Sequence, residues 1–191
     1  MGHEKASRLV YVVGPSGAGK DSLLSWLVAH GHPALKLHRA RRVITRPRVT
    51  GGEGHEVVDA STFDQCVCNG ELAMHWAANG YQYGIRHSEL AALASGDWVL
   101  VNGSRAYVPK ALAQYPQMCV LVVLADGNLL QQRLQARARE PVQDIQARLS
   151  RQAALPERPH HQLAVVHNNG TLAQAGQAAL AALAAWAAAE A

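Results

Sequence analysis

Gly14-Pro15-Ser16-Gly17-Ala18-Gly19-Lys20 is the stretch that decides the fold. Its pattern, Gly-x-x-x-x-Gly-Lys, lets backbone amides converge on phosphate oxygens, and a helix beginning just after Lys20 adds its positive dipole end. The stretch follows Arg8 to Val13, a β-rich run, and precedes Asp21 to Val28, whose leucines fall at helical spacing. Strand, tight loop and helix in that order predict ATP phosphates bound by Gly14, Pro15, Ser16, Gly17, Ala18, Gly19 and Lys20, with Asp21 and Ser22 following. Lys20 is expected to reach the β and γ phosphates.

One position departs from the usual pattern: Asp21 stands where Ser or Thr normally follows the lysine, and the hydroxyl comes one place later at Ser22. Magnesium prefers hard oxygen ligands, so Asp21 and Ser22 are the candidates to hold Mg2+ beside ATP. The alternative is that Asp21 only favours the start of the helix, where an acidic side chain is stabilised. The chain has no Asn-Lys-x-Asp stretch of the kind that reads guanine in regulatory GTPases.

Outward from the loop, further strands are expected at Trp98 to Val101, Met118 to Leu124 and Leu163 to Val166. Helical patterns separate them at Ser88 to Ala94, Tyr107 to Gln114 and Asn128 to Arg139. Strands alternating with helices predict an α/β fold, a mostly parallel five-stranded sheet flanked by helices. The rhythm breaks between His38 and Gly84, at Thr45-Arg46-Pro47 and Gly51-Gly52-Glu53-Gly54. An inserted lobe is therefore expected at about residues 38–85, within a single domain whose core is residues 8–37 and 86–191. Thr171 is a candidate N-cap for a last, alanine-rich helix.

The 191 residues suffice for one domain with a full apolar core. Cys66, Cys68 and Cys119 are an odd set without a secretory segment, which predicts reduced thiols in a cytoplasm; Cys66 and Cys68 lack a second pair to complete a metal site. No apolar run approaches the roughly 18 residues that cross a bilayer, so no membrane partner is expected. Net charge is +4, and of the 18 basic residues fourteen are Arg. The planar Arg fork grips phosphate oxygens in pairs, which points to phosphorylated ligands. Nucleic acid is not expected, because few aromatics are present to stack bases. The oligomeric state is left open.

The segment from Leu130 places Arg133 and Arg137 one helical turn apart and Arg148 eleven residues beyond Arg137. Such a set can close over a polyphosphate as a short lid, at about residues 137–148; the plainer reading is a solvated helix face. Together with the GPSG-x-GK loop, the sequence resembles the guanylate kinase family from about Leu9 to about Leu172. Thr45-Arg46-Pro47-Arg48, Gly52-Glu53-x-x-Glu56 and Gly80-x-x-Tyr83-Gly84 carry the resemblance. It implies that Arg46, Arg48 and Tyr83 bind the acceptor's phosphate, that Arg133, Arg137 and Arg148 act in catalysis with Lys20, and that Asn168 and Asn169 lie beside the donor adenine.

The guanine readers of that family are missing. Leu72-Ala73-Met74-His75-Trp76 has no acid, Asn102-Gly103-Ser104-Arg105 replaces an Asp-x-Asp, and Arg42 stands where a base-reading serine belongs. Each unpaired buried donor costs about 1–3 kcal/mol, so GMP is expected to be a poor substrate. Arg42, Asn102, Ser104 and Arg105 instead suit an acceptor carrying a second phosphate. With Lys20-Asp21-Ser22, Trp76, Asn79-Gly80 and Asn102-Gly103-Ser104-Arg105-Ala106, the chain is similar to the ribose 1,5-bisphosphokinases of bacterial phosphonate utilisation. That resemblance implies conversion of ribose 1,5-bisphosphate and ATP to 5-phosphoribosyl 1-diphosphate and ADP.

The implied chemistry needs no general base, since the attacking phosphate oxygen is already an anion. His38 and His160-His161 lie outside the motifs. Two rival expectations remain: a guanylate or other nucleoside monophosphate kinase, and a guanylate-kinase-like scaffold module that binds partners without chemistry. Lys20 and the lid arginines speak against the second.

Overall fold

All five residues of β1 (Leu9–Val13) are fully buried, as expected of a central strand in a parallel sheet covered on both faces. Val10 and Val12 pack with Leu23, Leu24 and Leu27 of α1 (Lys20–His30) and with Ala175, Ala179, Leu183 and Trp186 of the last helix. On the opposite face Leu9, Tyr11 and Val13 pack with Val108 and Ala111 and with Met74 and Ile85. The computed structural model describes residues 8–32, 35–46, 54–136 and 162–189.

After α1 come β2 (Leu37–Arg39), β3 (Arg42–Ile44), β4 (Glu56–Val57), α2 (Ala60–Cys68), β5 (Leu72–Ala78) and β6 (Tyr81–Arg86). A 3-10 segment (His87–Ser95), β7 (Trp98–Asn102), a 3-10 turn (Arg105–Tyr107) and α3 (Val108–Gln114) follow. The chain then forms β8 (Cys119–Leu124), α4 (Gly127–Ala136), β9 (Leu163–His167) and α5 (Leu172–Ala188). The main sheet has the order β2-β7-β1-β8-β9, with every pair parallel. This is the mostly parallel five-stranded sheet expected from the alternation of patterns. The chain leaves β1 toward β2 and β7 and later returns to β8 and β9 on its other side. A crevice therefore opens at the carboxyl end of β1, where open α/β sheets bind ligands.

Residues 42–86 hold a second sheet of order β4-β3-β6-β5, in which only β3 and β4 run parallel. His38 and Arg39 lie in β2 of the main sheet rather than in this insertion. The β5–β6 hairpin turns at Asn79-Gly80, with φ of 52° and 76°, between the paired Ala78 and Tyr81. Two positive dihedrals in a two-residue loop match the twist of the strands, and Asn-Gly is the pair that adopts them most readily.

The helix expected at Ser88 to Ala94 is the 3-10 segment, closed by Gly96 with φ of 79°. The stretch from Tyr107 becomes an α-helix only at Val108, with Pro109 in its first turn. Thr171 caps α5 as expected: its hydroxyl accepts from Gln174 N at 3.2 Å while Gln174 Oε1 accepts from Thr171 N at 2.9 Å. The cysteines are free thiols, Cys66 and Cys119 buried and Cys68 exposed. Among the described residues no helix is long and apolar enough to cross a membrane.

Candidate active site

The phosphate loop leaves β1 at Gly14 and enters α1 at Lys20. Gly14, Gly17 and Gly19 have φ of 151°, 86° and 85°, values that side-chain-bearing residues rarely adopt. At Gly14 the constraint is also steric, since a Cβ there would stand 2.0 Å from the Val123 carbonyl oxygen. Lys20 Nζ folds back over the loop and donates to the carbonyls of Gly14 and Pro15 at 2.8 and 2.9 Å.

Of the two asparagines after β9, the first braces this loop. Asn168, buried, donates from Nδ2 to Ala18 O at 2.8 Å, and its own N–H is held by Leu124 O at 2.8 Å. Asn169 makes a paired contact with Asp126: its Oδ1 accepts from Asp126 N at 2.9 Å and its Nδ2 donates to Asp126 Oδ1 at 2.8 Å. Asn168 thus fastens the ends of β8 and β9 to the loop, and Asn169 ties the end of β9 to the segment that follows β8. Arg133, on α4, donates from Nη2 to Asn168 O at 3.0 Å. Its buried Nη1 has no hydrogen-bond partner among the described residues and lies 3.9 Å from where a Gly19 Cβ would stand. A buried guanidinium nitrogen lacking an acceptor beside a phosphate loop suits a phosphate oxygen.

On the other side of the loop a second cluster is gathered on a single oxygen. Asp21 Oδ1 accepts from Arg39 Nη2 at 2.7 Å, Arg42 Nη2 at 3.0 Å and Asn102 Nδ2 at 2.6 Å. These donors come from the end of β2, the start of β3 and the end of β7, so the contact joins the phosphate-loop helix to both sheets. The side chains of Arg39, Arg42 and Asp21 are 23%, 14% and 18% exposed, enough cover for the ion pairs to escape most screening by salt. Asn102 itself is buried, and its Oδ1 has no hydrogen-bond partner among the described residues.

An aromatic floor lies next to this cluster. Trp76 stacks on Tyr83 at 5.8 Å with planes 5° apart, and it meets Tyr107 at 5.6 Å and Tyr11 at 6.3 Å. The Tyr11 hydroxyl accepts from Ser104 N at 3.1 Å, and burial holds the phenol pKa well above its ordinary range. It remains a neutral brace for the Asn102-Gly103-Ser104-Arg105 turn. Burial pushes the Arg105 guanidinium pKa down. Tyr83 lies opposite Ile44 in the β3–β6 ladder, and Thr45 accepts from Gln82 N at 2.9 Å through its hydroxyl. This fixes the point from which Arg46 departs; its buried Nε has no hydrogen-bond partner among the described residues.

The fit of magnesium depends on the oxygens after Lys20. Ser22 is exposed in the first turn of α1 and offers a hydroxyl. Asp21 Oδ1 already takes three donors, two of them cationic, and a divalent cation at that oxygen would face both guanidiniums. Ser22 fits the ion; Asp21 does not fit it through Oδ1.

The structure brings together Gly14 to Lys20, Asp21, Arg133 and Asn168 on one side and Arg42 and Asn102 with Asp21 on the other. Arg48, Arg137 and Arg148, and the lid at residues 137–148, lie outside the described residues. Arg39, Tyr11 and Tyr107 were not singled out from the sequence. Arg39 had one signal, its place in the basic run His38-Arg39-Ala40-Arg41-Arg42; the tyrosines had none, because burial and ring contacts are set by topology.

A phosphate loop at the carboxyl end of a central parallel strand, with arginines on both sides and an inserted sheet, defines a P-loop kinase of the guanylate kinase type. Among solved structures the guanylate kinase from Anaplasma phagocytophilum shares this fold, with a TM-score of 0.66 at 18% identity, covering 93% of this chain and 84% of that one. No family model matches the chain. It is 41% identical over 178 residues to the ribose 1,5-bisphosphate phosphokinase PhnN of Burkholderia mallei, covering 93% of this chain and 96% of that protein. It is equally 41% identical over 172 residues to the protein of the same name from a Janthinobacterium strain, spanning 38% of that longer chain and 90% of this one. The chain belongs to the ribose 1,5-bisphosphate phosphokinase family.

Proposed function

We infer that this protein transfers the γ-phosphoryl group of ATP to the 1-phosphate of ribose 1,5-bisphosphate, giving 5-phospho-α-D-ribose 1-diphosphate and ADP. The observation that carries the reading is the pair Arg42 and Asn102, assembled beside the phosphate loop on Asp21, at positions where a guanine-binding relative needs a serine and a carboxylate. A cation and an amide at this place suit a phosphorylated sugar and leave a guanine ring without its carboxylate acceptor. In the step, an anionic oxygen of the acceptor's 1-phosphate forms a bond to the γ phosphorus while the bond from that phosphorus to the β–γ bridging oxygen breaks. No proton is moved, so repulsion between two polyanions is the principal barrier.

The residues divide this work. Phosphate-loop amides and Lys20 hold the donor phosphates, Lys20 exchanging its contacts with Gly14 O and Pro15 O for phosphate oxygens. Arg133 meets the transferring group through Nη1, joined, on the family resemblance, by Arg137 and Arg148 of the lid. Arg42, Arg46, Arg48, Tyr83, Asn102, Ser104 and Arg105 form the acceptor side, within the inserted lobe and at the end of β7. Ser22 would hold a Mg2+ ion bound with ATP on the protein side, and that ion would supply positive charge to the donor phosphates. Asn168 serves the donor site by fixing the loop, and Asn169 by tying the end of β9 to Asp126 after β8. The absence of a membrane-crossing helix among the described residues accords with a cytoplasmic enzyme.

The test is ADP release with ribose 1,5-bisphosphate, GMP and AMP under matched conditions, the product being recognised by its consumption in a phosphoribosyltransferase reaction. Turnover with the sugar bisphosphate is expected to exceed that with either nucleotide by about a hundredfold or more. Rapid use of GMP alone would overturn the reading.

A further inference from the structure

Asn102 is 3% exposed, and while its amide nitrogen is engaged, its amide oxygen has no hydrogen-bond partner among the described residues. We propose that Asn102 is a specificity-determining residue whose Oδ1 accepts a hydrogen bond from a ring hydroxyl of the acceptor sugar, at C2 or C3. The site would then select a polyol phosphate over its deoxy counterpart. The proposal rests on the functional reading above.

Position comes first. Asn102 ends β7 and stands opposite Val12 of β1, two residues before the phosphate loop begins. Gly103 N donates to Val12 O at 2.9 Å, so the amide is set at the carboxyl edge of the sheet. The acceptor has to lie there for its oxygen to come within about 3–3.5 Å of the γ phosphorus. Leu100, on the same face of β7, packs with Leu23, Leu24 and Leu27, so Asn102 belongs to the face covered by α1. There its Nδ2 donates to Asp21 Oδ1 at 2.6 Å, which fixes the orientation of the amide, because the flipped form would set two oxygens against each other. The turn that follows is seated just as firmly: Ser104 N donates to the Tyr11 hydroxyl at 3.1 Å, and a Cβ on Gly103 would stand 2.0 Å from Tyr11 Cζ. The direction of Oδ1 is thus set before a ligand arrives.

Chemistry then names the ligand group. A buried acceptor left without a donor costs about 1–3 kcal/mol, so one held beside a ligand crevice points to a donor brought by the ligand. A phosphate oxygen does not serve, since an ionised phosphate accepts hydrogen bonds. In ribose 1,5-bisphosphate C1 and C5 carry phosphates and the C4 oxygen closes the ring, which leaves the hydroxyls at C2 and C3 as the donors. An amide also fits where a carboxylate would not. Asn102→Asp would set a second carboxylate against Asp21 Oδ1 and add negative charge facing a bisphosphate. Asn102 gives a donor to Asp21 and an acceptor to the sugar with no net charge.

The experiment uses the full-length protein with ATP and Mg2+ and measures kcat/KM for ribose 1,5-bisphosphate and for its 2-deoxy and 3-deoxy analogues. Wild type is compared with Asn102→Ala and Asn102→Leu, with thermal melting to confirm folding. Wild type is expected to prefer ribose 1,5-bisphosphate over at least one deoxy analogue by about tenfold or more. In both variants the ribose substrate should lose about tenfold or more and that preference should shrink to within about threefold, while the preference for ATP over 2′-deoxy-ATP stays as in wild type. A merely structural role would slow the sugar substrates alike and keep their ratio, and that result would overturn the proposal. So would wild-type protein that uses both deoxy analogues as well as ribose 1,5-bisphosphate, a measurement that needs no variant to fold. Mg2+ activation weakened tenfold in Asn102→Ala with the sugar ratio intact would also overturn it and make Oδ1 a metal ligand. Wild-type protein inert toward ribose 1,5-bisphosphate would instead overturn the functional reading, and this proposal with it.

Discussion

At the scale of single residues, Asn168, expected beside the donor adenine, has a structural part of its own. Its Nδ2 satisfies Ala18 O, a carbonyl on a fully buried residue inside the phosphate loop. Asn168→Ala would leave that carbonyl unpaired, at about 1–3 kcal/mol. The expected result is a lower thermal unfolding midpoint and an ATP KM raised by about tenfold, with the acceptor KM little changed; equal damage to both KM values would deny the local role. Asp21 makes the matching point about reading sequence. Its departure from the motif was legible, as was the presence of a charge to explain. Its partners were not, because Arg39, Arg42 and Asn102 lie 18, 21 and 81 positions away and converge only once two sheets are assembled. Residue type announces an unusual site, whereas the register of distant strands decides its chemistry.

Elements extend the argument, because the site is held by how they pack. Helix α5 lies on α1 with Gly176 against the ring of Trp26, where a Cβ would stand 2.1 Å from Cε3. Gly176→Ala is expected to push the helices apart at a cost of about 1–3 kcal/mol. Trp26→Leu should recover part of that loss in the double variant, a non-additivity readable in a thermal double-mutant cycle. In the second sheet Arg86 binds Glu56 through two contacts, Nη2 to Oε1 at 2.7 Å and Nε to Oε2 at 3.1 Å, and also reaches Glu71, which immediately precedes β5. The hydrogen bonds from Arg86 hold the Glu56 pKa below the usual carboxylate range. A depressed carboxylate pKa stabilises the fold at pH above the unfolded value and loses that effect as pH falls through the folded one. The melting midpoint should therefore decline on acidification below about pH 4.3. Arg86→Gln should lower the midpoint at neutral pH and flatten this acid decline; an unaltered slope would place the pH dependence elsewhere. Strand and helix order was open to sequence reading because period-2 and period-3.6 patterns are local. The short strand β2 was not, since three residues carry no period, and the 3-10 rather than α character of His87–Ser95 has no signal in a pattern of apolar spacing.

For the whole molecule, the governing fact is that an excess of arginine is folded into two banks facing one crevice. One bank is Arg133 with the phosphate loop, the other Arg39 and Arg42 with Asp21, and the parallel sheet sets them on either side of the carboxyl end of β1. That division explains why a net charge of +4 understates the field met by a polyanion entering between them. It also predicts how salt acts. Charges exposed to water are screened within about 10 Å at 0.1 M and about 3 Å at 1 M ionic strength, whereas half-buried ones are screened much less. Raising potassium chloride from about 0.05 M to about 0.5 M should raise the acceptor KM severalfold, through the weakened approach of a polyanion, while kcat changes by less than about twofold. In Arg42→Gln the same titration should begin from a higher acceptor KM and rise less steeply, because one cation of the acceptor bank is gone. A salt response confined to kcat would instead mean that the arginines act on the transferring group alone, and that the two banks are not separate in function.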